Sequence, residues 1–182
     1  SSYASVDISR RSRVQTPAGL RIQARKIMSR HGAALIEEYI EGIEYTVLVA
    51  ENPNDPKQPI TYTPVQYKFP EGEFFKHSDL KWVEYESLSA FPVEDKVLAN
   101  RLRDESSRFF VALKAASFGR CDLRVDNKGT PYMLEINSNC GIYYPPADYG
   151  SADLCLSLDP AGHAGFTKQL VAAAFARHSC RL

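Results

Sequence analysis

Two neighbouring segments of the chain carry oxygen-bearing side chains at the spacing of β-strands. In residues 120–126, charged and apolar side chains alternate, which predicts a strand with Asp122 on its polar face. Residues 132–136 follow an Asn-Lys-Gly turn and predict a second strand, so the two segments form a hairpin. Glu135 shares one face of the second arm with Asn137, because side chains along a strand repeat every second residue.

These three side chains converge if the register of the hairpin aligns its two polar faces. Carboxylate and amide oxygens in small number suit Mg²⁺, which commonly completes its octahedral shell with water and substrate phosphates. Arg120, on the same face as Asp122, adds a positive charge beside them. The spacing alone leaves two interpretations equally open: a magnesium and phosphate site, or the solvated face of an ordinary hairpin.

The residues of this hairpin resemble the C-terminal part of an ATP-grasp domain, closest in type to the D-alanine–D-alanine ligase family. The similar residues run from Arg120 to Asp126 and from Leu134 to Gly141. Three other segments agree with the family in their order along the chain: residues 1–8, residues 35–47 and Lys76. The resemblance covers most of residues 1–178, and four motifs in one order are more specific than any one alone.

The resemblance implies an α+β fold, in which a largely antiparallel sheet is flanked by helices. This is the C-terminal lobe of an ATP-grasp domain. Residues 1–182 would then form the C-terminal portion of one such domain, and its first lobe and upstream N-terminal domain would be absent from the sequence.

The resemblance also implies an activity, the ATP-dependent joining of a carboxylate to an amine through an acyl phosphate. ATP and two Mg²⁺ ions, or Mn²⁺ in their place, would be the cofactors. Small carboxylate and amine molecules, amino acids among them, would be the substrates, and a homodimer stays open. Asp122 and Glu135 would hold one ion, and Glu135 and Asn137 the second. Arg120 would stabilise the transferring phosphoryl group, with the N–H of Gly141 as a second donor.

For the nucleotide, the resemblance implies a second set of residues. The adenine and ribose would meet Glu37, Glu38, Tyr39, Ile40 and Glu44, and the phosphates would meet Ser5 and Lys76. Of these, Glu38 and Ile40 would contact adenine through their backbones, and Glu44 would contact the ribose hydroxyls.

Some features depart from the ligase pattern and keep a second function open. Asp7 stands where the phosphate loop of the family usually has glycine, which adds a negative charge and restricts the backbone. Residues 141–146 do not repeat the sequence that contacts the second D-alanine. They indicate a different acceptor pocket or, equally, tyrosines packed under the following loop. The alternative function is a truncated or degenerate ATP-binding module without turnover.

The composition is that of an ordinary enzyme domain. Lys and Arg total 22, as do Asp and Glu, and no long basic run favours nucleic acid or an anionic membrane as a partner. The apolar runs are too short to cross a bilayer and no signal peptide is recognisable, so a cytoplasmic location is expected. The 4 cysteines include no Cys-x-x-Cys pair, which favours reduced thiols over a disulfide framework or a zinc site.

The sequence also predicts the elements around the hairpin. Capping residues predict a helix between Thr16 and Gly32. The further predictions are two strands between Leu35 and Ala50 bent at Glu41 and Gly42, a strand over 61–68, a long helix over 92–118, and a last helix over 164–178 with Phe166, Leu170, Val171 and Phe175 buried. The irregular residues 70–92, which contain Lys76, are typical of a lid or substrate loop.

Overall fold

The chain forms two compact units. The structure, a computed structural model, describes residues 7–82 and 88–179. The first unit contains the chain up to residue 40 together with residues 69–89, and the second contains residues 41–68 and the chain from residue 90 onward.

The first unit contains helix α1 (Pro17–His31) and the short helix α2 (Ser78–Trp82). Helix α1 has the predicted bounds, because the Thr16 side chain accepts a hydrogen bond from the N–H of Gly19 and Gly32 ends the helix with φ 79°. Residues 33–41 form no regular element, so the first of the two strands predicted between Leu35 and Ala50 is wrong.

The second unit is built on a six-stranded sheet. Its strands are β1 (Gly42–Ala50), β2 (Ile60–Thr61), β3 (Val65–Lys68), β4 (Ser89–Pro92), β5 (Phe118–Asp126) and β6 (Pro131–Asn137). The order is β4-β3-β1-β5-β6, with β2 paired to β1, and β1 pairs antiparallel with β2, β3 and β5. The single strand predicted over 61–68 is therefore two short strands.

The predicted hairpin is formed by β5 and β6, which pair antiparallel. Its turn is held by Asp126, whose Oδ1 accepts hydrogen bonds from the N–H groups of Lys128 and Thr130 at 2.9 and 2.8 Å. These backbone hydrogen bonds, that of Thr130 first, lower the pKa of Asp126 below its usual value. Gly129 adopts the left-handed backbone, φ 80°, that the turn requires.

From Glu44 to Ala50, strand β1 has both faces buried, and its two faces contribute to different cores. Tyr45, Val47 and Val49 pack with β5 and with Leu102 and Phe110 of helix α3 (Lys96–Ala112). Leu48 and Ala50, on the opposite face, pack with helices α4 (Ser151–Ser157) and α5 (Gly162–Ser179). The remainder of that second face carries polar side chains.

Two helix predictions need correction. Helix α3 is shorter than the predicted 92–118, because Asp95 caps its start by accepting from the N–H groups of Val97 and Leu98, and Phe118 already belongs to β5. The buried stripe predicted for the last helix is partly wrong, since Phe166 is buried but Val171 and Phe175 are 51% and 69% exposed.

Helices therefore flank a largely antiparallel sheet, and the predicted α+β class is confirmed. Within residues 7–82 and 88–179, no helix combines the length and the apolar character that crossing a membrane requires.

Candidate functional site

The polar face of the sheet carries a row of paired residues across three strands. In β5, Asp122 stands opposite Thr46 of β1 on one side and opposite Glu135 of β6 on the other. Two positions earlier in β5, Arg120 stands opposite Asn137. Directly opposed residues of antiparallel strands share a face, so the register brings Asp122, Glu135 and Asn137 together beside Arg120.

Asp122 is the centre of the hydrogen-bond network in this row. Its Oδ1 accepts from Arg120 Nε at 3.0 Å and from Thr46 Oγ1 at 2.8 Å, and its Oδ2 accepts from Arg120 Nη2 at 2.6 Å. This bidentate interaction with the guanidinium fixes the plane of the carboxylate. Burial by itself would lower the pKa of Arg120, but the charge of Asp122 outweighs it and raises the pKa above its usual value. Arg120 is therefore a permanent cation.

Asn137 connects the two carboxylates through one atom. Its Nδ2 lies 3.0 Å from Asp122 Oδ2 and 3.1 Å from Glu135 Oε1. A position between two carboxylate oxygens attracts positive charge, and here the donor end of an amide occupies it. A flip of the Asn137 amide would place its oxygen, instead of its nitrogen, beside the two carboxylates. Two carboxylates and one amide oxygen form a set of hard ligands.

The charges on this face leave room for a further cation. Arg120 neutralises Asp122 through an ion pair of 2.6 Å, while Glu135 is exposed and has no basic partner within 4.0 Å among the described residues. In the described part of the chain, no group of three or more His, Cys, Asp or Glu side chains is arranged to hold a metal ion. An ion at this row would therefore need Asn137, water or a substrate phosphate to complete its shell, which is how Mg²⁺ is commonly held.

Glu44, expected at the ribose, forms a buried ion pair in this structure. It stands opposite Arg124 in the register of β1 and β5, and the Arg124 Nη1 to Glu44 Oε1 distance is 3.1 Å. The side chains are only 5% exposed for Arg124 and 11% for Glu44. Arg124 Nη2 also donates to the carbonyl oxygen of Gly42 at 2.8 Å. Glu44 lies on the same face as Asp122 and has a structural partner there.

The other predicted nucleotide residues lie in the first unit. Glu37 and Glu38 are exposed in the irregular segment before β1, and Tyr39 and Ile40 are half-buried there. Lys76 is half-buried, in the part of the sequence that follows β3 and precedes α2. Ser5 lies outside the described residues.

Within the first unit, Tyr39 is fixed by contacts with Arg13 and Phe74. The Arg13 guanidinium lies 4.2 Å from the centre of the Tyr39 ring and 5.2 Å from that of Phe74. The Tyr39 hydroxyl donates to the carbonyl oxygen of Phe74 at 3.2 Å. These contacts fix the middle of the segment for which the resemblance implies adenine binding, and Arg13 is a residue that sequence reasoning missed.

Asp7, the departure from glycine in the phosphate loop, keeps the backbone that glycine would favour. Its φ is 64°, in the left-handed region. Its carboxylate forms ion pairs with Arg30 and with His31, whose Nε2 lies 2.8 Å from Asp7 Oδ2. The hydrogen bond from His31, ahead of the charge of Arg30, lowers the pKa of Asp7. The added negative charge therefore has basic partners at the end of α1.

The segment after the hairpin is anchored by a buried carboxylate. Asp153, fully buried at the start of α4, accepts hydrogen bonds from the N–H of Tyr143 at 2.7 Å and from His163 at 2.8 Å. A Cβ added to Gly141 would meet the ring of Tyr144 at 2.5 Å, so a larger residue at position 141 would require this tyrosine to move. Tyr143 and Tyr144 are nevertheless 56% and 51% exposed, so neither is buried under the loop.

The cysteines near the row have the character of structural residues. Cys121, Cys140 and Cys155 are buried free thiols. Burial raises the pKa of Cys121 to about 12 and also raises the pKa of Cys140. A neutral thiol is a poor nucleophile, so neither cysteine adds chemistry to the row.

Two known proteins are similar to part of this chain in sequence. A 134-residue match, 33% identical, covers 71% of this chain and 38% of the "Uncharacterized protein y4sG" of Sinorhizobium fredii. The D-alanine–D-alanine ligase of Laribacter hongkongensis is 30% identical over 112 residues, which are 59% of this chain and 32% of that protein. The chain thus spans about a third of the length of these relatives.

The fold is similar to that of a solved ligase structure. The D-alanine–D-alanine ligase of Bacillus anthracis, complexed with ATP, superposes with a TM-score of 0.68 at 18% identity, over 93% of this chain and 51% of that one. The family model for the D-ala D-ala ligase C-terminus matches residues 4–144, the greater part of the sequence. The chain therefore belongs to the D-alanine–D-alanine ligase C-terminal family and has the fold of an ATP-grasp C-terminal part.

Proposed function

We propose that this chain provides the metal and phosphate side of an ATP-dependent ligase that joins a small carboxylate to an amine. The observation that carries the proposal is the position of Asn137 Nδ2, within 3.1 Å of an oxygen from both Asp122 and Glu135. This arrangement supports a cation site beside the fixed positive charge of Arg120, which forms two hydrogen bonds to Asp122.

The residues of the row have distinct roles in this proposal. Asp122, Glu135 and Asn137 would hold Mg²⁺ or Mn²⁺, and the ions would neutralise phosphate charge when bound. Arg120, kept charged by Asp122, would stabilise charge on the transferring phosphoryl group and on the acyl phosphate as the amine attacks. Thr46 fixes the Asp122 carboxylate from the neighbouring strand. Fixed donors of this kind supply most of the catalysis in phosphoryl transfer.

The nucleotide assignments remain part of the proposal and rest on the family. Glu37, Glu38, Tyr39 and Ile40 would meet adenine, Glu44 the ribose, and Ser5 and Lys76 the phosphates. The N–H of Gly141 would add a donor for the reacting group. Amino acids are the first substrates to test, because the curated relative from Laribacter hongkongensis is named for joining D-alanine.

The test is ATP binding by the purified chain, with and without Mg²⁺, measured by calorimetry. Asp122→Asn and Glu135→Gln should abolish the dependence of ATP binding on Mg²⁺. The matched control is Asp104→Asn on α3, an exposed carboxylate away from the row, which should bind as the wild type does. If all four proteins bind ATP equally, or if the wild type binds none, the proposal is wrong.

A second assay separates turnover from binding alone. Phosphate release would be followed with D-alanine and with other amino acids, and Arg120→Lys should reduce any observed rate on the order of 10²–10³-fold, because a transition-state donor is lost. Magnesium-dependent binding without release under any substrate would support the alternative of a binding module.

A further inference from the structure

The alternation of side chains in β6 breaks at one residue. Leu123 pairs with Met133, and the preceding residue of β5, Asp122, pairs with Glu135, so Leu134 has no partner across the hairpin. One extra residue on one strand of an antiparallel pair is a β-bulge. The bulge lies opposite the step between Asp122 and Leu123, next to the centre of the polar row.

The core side of the same strand shows what the bulge does to the strand. Met133 and Ile136 both pack against the core formed with α3. They are three residues apart, and two residues three apart in a regular strand would face opposite sides of the sheet. The bulge therefore lets both halves of β6 keep their apolar residues in the core while Glu135 joins the face of Asp122.

The extra residue contributes little to the core. Leu134 is 45% exposed, so its side chain gains only part of the stabilisation that a buried leucine gives. A strand without it would still pair Asp122 with Glu135 and Cys121 with Ile136, in an unbroken ladder. A bulge bends its strand and increases the local twist, which changes the direction of the side chains beside it.

We infer that Leu134 is a positioning residue: the bulge that it creates turns the Glu135 carboxylate towards Asp122 and Asn137, and so sets the geometry of the cation site. This inference rests on the proposed function. It concerns the backbone of Leu134, and the identity of the side chain is secondary.

Two variants separate the extra backbone residue from its side chain. Deletion of Leu134 removes the bulge and leaves the pairs on both sides unchanged. Leu134→Ala keeps the bulge and removes most of the side chain. Mn²⁺ binding to the full chain would be measured by electron paramagnetic resonance, and folding by circular dichroism and the thermal midpoint.

The deletion variant should keep a thermal midpoint at or above that of the wild type and bind Mn²⁺ at least tenfold more weakly. Leu134→Ala should bind within threefold of the wild type. Wild-type affinity in the deletion variant, equal losses in both variants, or a deletion variant that does not fold would each overturn the inference. A wild-type chain that binds no Mn²⁺ would instead refute the proposed cation site itself, and the inference with it.

Discussion

The buried pair between Glu44 and Arg124 allows a quantitative test of how the polar face is built. Its side chains are 11% and 5% exposed and lie 3.1 Å apart. Removing one partner of such a pair leaves the other charge buried without its ion-pair partner, which destabilises a protein by about 3–5 kcal/mol. With a urea m-value of about 2 kcal/mol/M, a loss of 3 kcal/mol lowers the denaturation midpoint by about 1.5 M.

The perturbation is a double-mutant cycle of Glu44→Leu, Arg124→Met and the double variant, measured by urea denaturation. Each single variant should lose about 3 kcal/mol, while the double variant should recover at least about 2 kcal/mol of the summed loss, because neighbouring residues couple. The coupling energy obtained from the cycle excludes the separate contribution of the hydrogen bond from Arg124 to Gly42.

The chain offers a matched control for this cycle. Glu105 and Arg108 on α3 also form an ion pair of 3.1 Å, but their side chains are 43% and 77% exposed. Glu105→Leu should lose less than about 1 kcal/mol, because solvent screens an exposed pair. The reasoning is refuted if Glu44→Leu destabilises the chain no more than Glu105→Leu. A Glu44→Leu chain of normal stability that has lost ATP binding would assign this carboxylate to the nucleotide alone.

Two other predictions concern backbone space and pH. Gly42→Ala should lower the unfolding free energy by about 2 kcal/mol, because the added Cβ would lie 1.9 Å from the carbonyl oxygen of Val125; an unchanged urea midpoint would contradict the close approach. Burial opposes the shift at Glu73, but hydrogen bonds from His77 and Arg10 lower its pKa below 4.5. The stabilisation that the ionised Glu73 gives is therefore complete above about pH 4.5 and is lost as pH falls through the lowered pKa. The difference in thermal midpoint between the wild type and Glu73→Gln should shrink on acidification; a constant difference would contradict the prediction.

The sequence predicted the hairpin well because the information for it is local. Alternation in β5, a turn closed by Asp126 and the helix caps of α1 each depend on residues within a few positions. Thr46 could not be found in this way, since it reaches Asp122 from a strand 76 residues away in sequence. The exposure of Phe175 escaped prediction for the same reason, because a helical stripe does not say how much of it the sheet can cover.

The two ion pairs of the polar face lie in different surroundings. At one end, Glu44 and Arg124 have side chains 11% and 5% exposed and form an ion pair of 3.1 Å, and Arg124 also donates to the carbonyl oxygen of Gly42. Arg120 and Asp122 lie further along the same strand with side chains 12% and 18% exposed, and their neighbour Glu135 is exposed. A bound cation or phosphate needs charges that are fixed in place yet reachable, and the exposed Glu135 beside Asp122 makes this end of the face the more reachable one. The first pair bridges β1 and β5, and a rigid junction there would hold Asp122 in place for the proposed cation.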